Sequence, residues 1–346
     1  MDNDTFKARI ISAERALTLP ADKTLLETAL DAGIAYPHGC RSGRCGACKT
    51  RLLSGEVELL PHTRFALSED EREQGLILAC RAKPLSDIEV KWLAQETVSH
   101  PLVKTTGSVA GTRRLTHDIV ELRLGLEAPF AYAPGQYARL TFPGLPARDY
   151  SMAPSGRDDE LVFHIREVAG GRVSAAVAQA AKPGVAVQVE GPFGEAYLRE
   201  GHTRPILAVA GGSGLAPVLS IVSRAVAADM RQPIHVYFGA RDRHDVYGQQ
   251  QLDALMAAHP RFSRQVVLSA AKGETAFRKG FVHEAIAADI DAMAGWKAYV
   301  AGPPAMVEAV GQVCRERNLR ETDLHADVFF TPEDGSRASA EAASGG

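Results

Sequence analysis

Apolar and polar positions alternate along this chain with a period that changes from segment to segment, and the changes mark its organisation. Residues 5–20 alternate by twos, the signature of a hairpin, and residues 24–33 then set Leu25, Leu26, Ala29 and Leu30 on one helical stripe that stops at Gly33. Residues 49–53, 76–80 and 88–92 read as strands, and Ser68-Glu69-Asp70-Glu71 is a capping box opening a short helix. The polar stretch 94–104, with Pro101, has no strong periodicity and predicts a linker. Beyond it, short β-like runs at 119–126, 136–142, 161–167 and 185–190 are separated by turns at Pro134-Gly135, Pro143-Gly144 and Pro183-Gly184, the spacing of a small antiparallel barrel. From Pro205 the pattern becomes strand, helix, strand. Strand-like runs at 206–210, 234–239, 262–269 and 297–301 alternate with helical runs at 216–228, 249–258 and 304–317, which predicts a parallel, doubly wound sheet. The Ser-, Ala-, Gly- and Glu-rich tail after Thr331 predicts disorder.

Composition narrows the classes. With 346 residues, 45% hydrophobic and 23% charged, the chain can fill two or three cores. A formal net charge of −3 leaves no basic footprint for nucleic acid. No apolar run approaches the roughly 18 residues of a membrane span, and the acidic start Met1-Asp2-Asn3-Asp4 is unlike a cationic export signal, so a soluble, cytoplasmic protein is expected. In that reducing setting five cysteines point to ligation rather than disulfides.

Four of them have a telling spacing. Cys40, Cys45 and Cys48 form a C-x4-C-x2-C run, and Cys80 follows after 31 intervening residues, which is the plant-type pattern for a 2Fe–2S cluster. Gly39, Gly43 and Gly46 let that loop fold tightly around inorganic sulfide. Zinc competes for four thiolates, but structural zinc sites usually pair two short knuckles, and Cys80 stands alone. Cys45-Gly46-Ala47-Cys48 by itself would pass as a redox dithiol. His38 and His62 would tempt a Rieske assignment, but four cysteines already suffice, and both read as ordinary loop histidines. Cys314 reads as a buried thiol packing as a small hydrophobe.

Three further stretches carry chemistry. In Arg148-Asp149-Tyr150-Ser151 the guanidinium suits a diphosphate, the phenol ring a stacked flavin and the hydroxyl the polar edge of such a ring. A tyrosine and serine in a strand are as readily explained by packing. Gly170-Gly171-Arg172-Val173-Ser174, before the apolar run 175–181, places backbone N–H groups and an arginine at a helix start, which is either an anion site or a plain capping turn. Gly211-Gly212-Ser213-Gly214-Leu215-Ala216-Pro217 joins the first strand of the parallel sheet to its helix, where a dinucleotide's phosphates would sit. It is neither the G-x-G-x-x-G fingerprint nor a P-loop. Gly302-Pro303-Pro304 forms a second rigid loop at the same sheet edge.

These motifs, in this order, resemble the ferredoxin–NADP reductase superfamily, and within it the three-module reductases of bacterial aromatic-ring dioxygenases. The resemblance covers nearly all of residues 6–330 and also rests on Thr116-His117-Asp118-Ile119, Pro134-Gly135-Gln136-Tyr137, Tyr150-Ser151-Met152 and His164-Ile165-Arg166. It implies a multi-domain α+β and α/β chain: a plant-type 2Fe–2S ferredoxin of β-grasp fold over 1–93, the linker 94–104, an antiparallel β-barrel FAD domain over 105–201 and a doubly wound NAD(P)H domain over 202–330. Cys40, Cys45, Cys48 and Cys80 would hold the cluster. Arg148, Tyr150 and Ser151 would contact FAD, with Ser151 near N5, and His164, Arg166, Gly171, Arg172, Val173 and Ser174 would hold its ribityl and diphosphate portions. Gly211, Gly212, Gly214 and Pro217 would receive NADH, or NADPH, helped by Gly239, Arg241, Gly302, Pro303 and Met306. Phe329 lies where such reductases carry an aromatic residue beside the flavin, so Tyr150, Ser151 and Phe329 are the expected catalytic residues. The implied acceptor is a Rieske-type ferredoxin or a terminal oxygenase; the reductase of a diiron monooxygenase and a cluster-only carrier or sensor are the alternatives. Two departures stand out: Ala301 replaces the cysteine that many members place before the Gly-Pro loop, and residues 331–346 extend past the usual end. The segment Arg241-Asp242-Arg243-His244-Asp245 offers arginines to a 2′-phosphate and aspartates to a ribose hydroxyl.

Overall fold

The computed structural model describes residues 4–39, 41–43, 46–64, 66–93 and 100–330. These fall into two compact units, the first ending at Leu93 and the second beginning at His100.

In the first unit β1 (Thr5–Ile10) and β2 (Arg15–Pro20) form the expected hairpin, and α1 (Leu25–Asp31) buries Leu25, Leu26 and Ala29. A complete capping box starts α1: Thr24 Oγ1 accepts from the Glu27 N–H, and Glu27 accepts from the Thr24 N–H. There follow β3 (Lys49–Ser54), β4 (Val57–Leu59), α2 (Glu69–Glu73), β5 (Leu76–Leu78), β6 (Ala82–Pro84) and β7 (Ile88–Trp92). Helix α2 opens with the predicted Ser68/Glu71 capping box, a device whose removal costs about 0.5–2 kcal/mol. The sheet order is β2-β1-β7-β3-β5, mixed because β1 and β7 run parallel, and β4 pairs with β6 apart from it.

The second unit opens with β8 (Val103–Arg114), β9 (Ile119–Leu126), β10 (Tyr137–Thr141), β11 (Arg148–Ala153), β12 (Glu160–Arg166), α3 (Arg172–Ala180) and β13 (Ala186–Phe193). The six strands close into a barrel, β10-β11-β12-β9-β8-β13, around Leu122, Leu124, Leu140, Phe163 and Val189. Two of its strands are absent from the sequence reading. Strand β8 starts inside the stretch expected as a linker and buries only Gly107 and Val109, so no apolar alternation announces it. Strand β11 carries the Arg-Asp-Tyr-Ser motif, which chemistry rather than periodicity singles out.

The rest of this unit comprises β14 (Ile206–Gly211), α4 (Leu215–Ala227), β15 (Ile234–Ala240), α5 (Gln249–Ala258), β16 (Phe262–Leu268), β17 (Arg278–Lys279), α6 (Val282–Asp289), β18 (Lys297–Gly302), α7 (Pro304–Glu316) and β19 (Leu324–Val328). The strands pair in parallel in the order β17-β16-β15-β14-β18-β19. Helix α4 packs with α5 and α6 with α7, and β14 is buried at every position, as a central strand covered on both faces must be. After β14 the chain first builds outward through β15, β16 and β17, then returns to place β18 on the other side of β14. The junction of β14 and β18 is therefore the topological switch point, where doubly wound sheets take their ligands. Cys314, in α7, is fully buried, and burial pushes its thiol up to about 12, in keeping with the packing role expected of it. Among the described residues no helix is long and apolar enough to cross a membrane.

Candidate functional site

The cysteine loop is built by the first unit's sheet. Cys48 directly precedes β3, and Cys80 lies two residues past β5. The pairing of Lys49 with Leu78 sets those two ends side by side, and the Ala79 N–H donates to the Cys48 carbonyl at 3.1 Å. Both cysteines are nearly inaccessible, at 3% and 5%. Cys40 and Cys45 lie outside the described residues. Gly43 and Gly46 both have φ near +70°, and a Cβ on Gly43 would come within 2.9 Å of Arg81 Cγ and His62 Cβ, so the loop is as compact as a cluster loop has to be. The Tyr36 hydroxyl lies 2.7 Å from the Thr50 hydroxyl, which donates to the Cys48 carbonyl, while Lys49 pairs with Glu71 at 2.5 Å. His38 uses both ring nitrogens, on the Tyr36 carbonyl and on Arg41, and His62 Nδ1 lies on the Leu60 carbonyl; these are the contacts of loop histidines. Four thiolates, compact glycines and a dry backing suit a 2Fe–2S cluster.

On the barrel, two-residue periodicity separates the motif's roles. Met152 points into the barrel core, which Tyr150 borders, whereas Ala153 packs outward with Val162 against Ala216 of α4. Tyr150 is half-buried, and burial pushes its phenol up to about 12, so it presents a neutral aromatic face. Arg148 is exposed, and Asp149 is held by Arg139 at 2.8 Å. Helix α3 begins at Gly171 without a side-chain cap, leaving its first-turn N–H groups without intrahelical partners. Ser174 Oγ instead accepts from the Val168 N–H at 3.1 Å and fixes the preceding turn; Val173 is buried in the barrel core and Arg172 is exposed. An uncapped helix start that carries Arg172 as its first residue suits a flavin's diphosphate, as does the exposed Arg148 of β11.

At the switch point, Gly211 ends β14, a 3-10 turn covers Gly212–Gly214, and α4 follows, again without a side-chain cap. Pro217 occupies the first turn of α4, where its missing N–H costs nothing. The glycines here are dictated by packing: a Cβ on Gly211 would come within 2.6 Å of Met306 Sδ, and one on Gly214 would fall on the Ala301 carbonyl. Gly302 lies directly against Gly211, Pro303 caps α7, and Gly239 of β15 pairs with Gly211 from the other side. Bare backbone, two helix starts and one shared edge suit a dinucleotide.

Three contacts join this edge to the barrel. The Ser151 hydroxyl donates to Asp327 Oδ2 of β19 at 2.5 Å, and Phe329, just beyond, donates its N–H to the Gly302 carbonyl at 2.9 Å. Burial pushes the Asp327 carboxyl up to about 6, against the pull of the Ser151 hydrogen bond. The His164 ring lies 3.1 Å from the Tyr247 hydroxyl, which donates to the Gly212 carbonyl, and burial holds the imidazole neutral, down at about 4. Arg166 Nε donates to Asp118 at 2.9 Å while its guanidinium lies against Gly212. So His164 and Arg166, expected beside the flavin's ribityl and diphosphate, turn their side chains toward the nucleotide edge. Burial raises the Asp118 carboxyl, but Arg166, Thr116 and His117 together outweigh it and hold the group below its usual range. His117, Asp118 and Asp245 bring possible ligand atoms within 4.8 Å, yet both carboxylates also face Arg241, and that cation already serves them. Asp327 and Tyr247 are functional candidates that sequence reasoning did not single out, and Asp118 was named there only within the Thr116-His117-Asp118-Ile119 motif, without a role.

Three family models match the chain. The 2Fe-2S iron-sulfur cluster binding domain family matches residues 10–85, the oxidoreductase FAD-binding domain family residues 107–197 and the oxidoreductase NAD-binding domain family residues 208–312. The ferredoxin–NAD(P)+ reductase component of the naphthalene 1,2-dioxygenase system of Pseudomonas putida is 39% identical over 91% of this chain and 96% of its own length. The reductase component of phenol 2-monooxygenase from a Pseudomonas strain is 33% identical over 93% of each chain. Among solved structures, the cytochrome P450 reductase of Amycolatopsis superposes with a TM-score of 0.76 at 34% identity, covering 94% of this chain and 99% of that one. The ferredoxin reductase of carbazole 1,9a-dioxygenase gives 0.69 at 28%, covering 95% and 100%.

Proposed function

Since this chain belongs to the ferredoxin–NAD(P)+ reductase components of multicomponent oxygenase systems, we propose which of its residues admit the electrons, which hand them on and what receives them. The protein is an oxidoreductase with 2Fe–2S, FAD- and NAD-binding domains that moves electrons from NAD(P)H to an oxygenase system. FAD, when bound, accepts a hydride's two electrons and returns them singly, as a 2Fe–2S cluster requires.

The observation that carries the residue assignment is the Ser151–Asp327 hydrogen bond, which ties the flavin strand to the nucleotide edge at one point. The half-buried ring of Tyr150 stacks, and Arg148, Gly171, Arg172, Val173 and Ser174 receive the flavin's diphosphate at the uncapped start of α3. Gly211, Gly212, Gly214 and Gly302 offer bare backbone to the nicotinamide dinucleotide, while Pro217, Gly239, Pro303 and Met306 shape the walls. Phe329, hydrogen-bonded to Gly302, covers the place where the two cofactors meet and excludes water. Arg166 serves the nucleotide's phosphates rather than the flavin. Ser151 Oγ would be the hydroxyl at the reacting edge, and Asp327, ionised at neutral pH with its carboxyl near 6, would accept through Ser151 the proton that a bound reduced flavin releases on reoxidation. Cys40, Cys45, Cys48 and Cys80 hold the cluster, and a cytoplasmic setting keeps those thiolates reduced.

The acceptor is an oxygenase or a ferredoxin serving one. The resemblance to dioxygenase reductases favours a Rieske-type ferredoxin of a ring-hydroxylating system, and the phenol monooxygenase relative supports a diiron oxygenase as the second reading. Reconstitution with NADH and purified acceptors separates them. The expected result is faster reduction of a Rieske-type ferredoxin than of a diiron hydroxylase; the reverse order would establish the second reading.

A further inference from the structure

In a doubly wound sheet the adenosine ribose lies beside the end of the strand neighbouring the glycine-loop strand, and the residues there choose between a 2′-hydroxyl and a 2′-phosphate. Here that end is Arg241, immediately after β15. Its exposed guanidinium is engaged by two carboxylates. Nη2 donates to Asp245 Oδ1 at 3.4 Å and to Asp118 Oδ2 at 3.3 Å. The Asp245 side chain is only 6% exposed, and its other oxygen accepts the Asp242 N–H at 2.9 Å. Asp118 comes from the flavin barrel, on the turn between β8 and β9, and is just as firmly set: the Thr116 hydroxyl donates to Oδ1 at 2.9 Å and Arg166 Nε to Oδ2 at 2.9 Å. His117 stands 3.9 Å from Asp118 and 3.7 Å from Asp245.

We propose that Asp118, a residue of the flavin barrel, is a positioning residue for coenzyme choice: with Asp245 it keeps the Arg241 guanidinium engaged and surrounds the 2′ position with fixed negative charge, so that the reductase takes NADH and turns NADPH away. The proposal rests on the nucleotide site assigned above to residues 211–217. Its physics is charge balance. Two guanidiniums, Arg166 and Arg241, face two immobile carboxylates, so neither cation is left over; a 2′-phosphate would have to detach Arg241 from both carboxylates while bringing like charge beside them, which is how interfaces reject wrong partners. A ribose hydroxyl needs no such exchange, because it both donates to carboxylate and accepts from guanidinium. Arg166 does not offset this, since its guanidinium is committed to Asp118 and lies against the phosphate loop at Gly212. Arg243, two residues on, is exposed and makes no ion pair among the described residues; it is the source of whatever 2′-phosphate affinity the wild type retains.

The test is equilibrium binding of ADP and of adenosine 2′,5′-bisphosphate to FAD-loaded protein, for the wild type, Asp118→Asn and Asp118→Glu, with steady-state NADH and NADPH oxidation alongside. The wild type is expected to prefer ADP, and Asp118→Asn to shift the ratio toward the bisphosphate by about tenfold or more through removal of one like charge. That shift should appear in KM for NADPH, while Asp118→Glu keeps the wild-type ratio. A purely structural role would weaken both probes alike and leave the ratio unchanged, which would overturn the proposal, as would a wild type that binds both probes equally. A bisphosphate that still fails to bind Asp118→Asn while ADP binds would also overturn the proposal, whereas failure of both probes to bind any of the three proteins would instead bring down the nucleotide-site assignment, and this proposal with it.

Discussion

Replacing Cys80 with serine is expected to stop electron delivery to cytochrome c while NADH-driven reduction of ferricyanide at the flavin continues. Cys80 is buried beside Cys48 by the pairing of β3 with β5, and a serine there exchanges a thiolate for a hydroxyl that ionises poorly. Loss of an outer partner of a metal ligand typically costs about 10–100-fold, and loss of the ligand itself should exceed that. The continuing ferricyanide reaction reports that the second unit is folded and loaded. A variant that keeps a full cluster spectrum and wild-type cytochrome c reduction would remove Cys80 from the ligand set.

Asp327→Asn is expected to lower turnover by about 100-fold or more, the scale of a lost proton-transfer partner, with little change in KM for NADH. The sign of its pH dependence follows from burial. The wild-type carboxyl, raised to about 6, is protonated below that pH and cannot accept from Ser151, so turnover should rise as pH increases through about 6. The same raised value means that Asp327 favours the folded state below the ordinary carboxylate range and that this contribution is lost as pH rises through about 6. In Asp327→Asn the inflection should vanish, and Ser151→Ala should behave alike, because the two groups share one hydrogen bond. An unchanged inflection in Asp327→Asn would assign the titration to another group.

The difference between what was legible in the sequence and what was not has a physical pattern. The cysteine spacing, the glycine loops, both capping boxes and the change from two-residue to mixed α/β periodicity are local signals, and residues 25–31, 206–211 and 304–316 form the elements those signals predict. Strand β8 was illegible because its exposed face is polar and its buried positions include glycine. Helix α6 has barely two turns to show a stripe, and β19 follows a 3-10 turn with no glycine or proline to announce it. Within the site, the readable residues were those whose type alone suggests a ligand. Asp327 and the role of Asp118, which the sequence showed only as part of a motif, were hidden because their meaning lies in partners 176 and 123 positions away, Ser151 and Arg241. His164 and Arg166 show the converse: their place on β12 was apparent, but only strand alternation on a closed barrel, with Phe163 and Ile165 inward, turns them to the nucleotide edge. Cys40, Cys45 and the tail 331–346 lie outside the described residues.

The measurement that bears most directly on the whole account is an anaerobic titration of the purified, cofactor-loaded protein with NADH, followed by visible absorbance. The predicted result is bleaching of overlapping flavin and iron–sulfur bands, complete at about 1.5 NADH per chain, because the flavin takes two electrons and the cluster one. Bleaching that ends at about one NADH with the iron–sulfur absorbance untouched, or a protein that accepts neither flavin nor cluster, would contradict it.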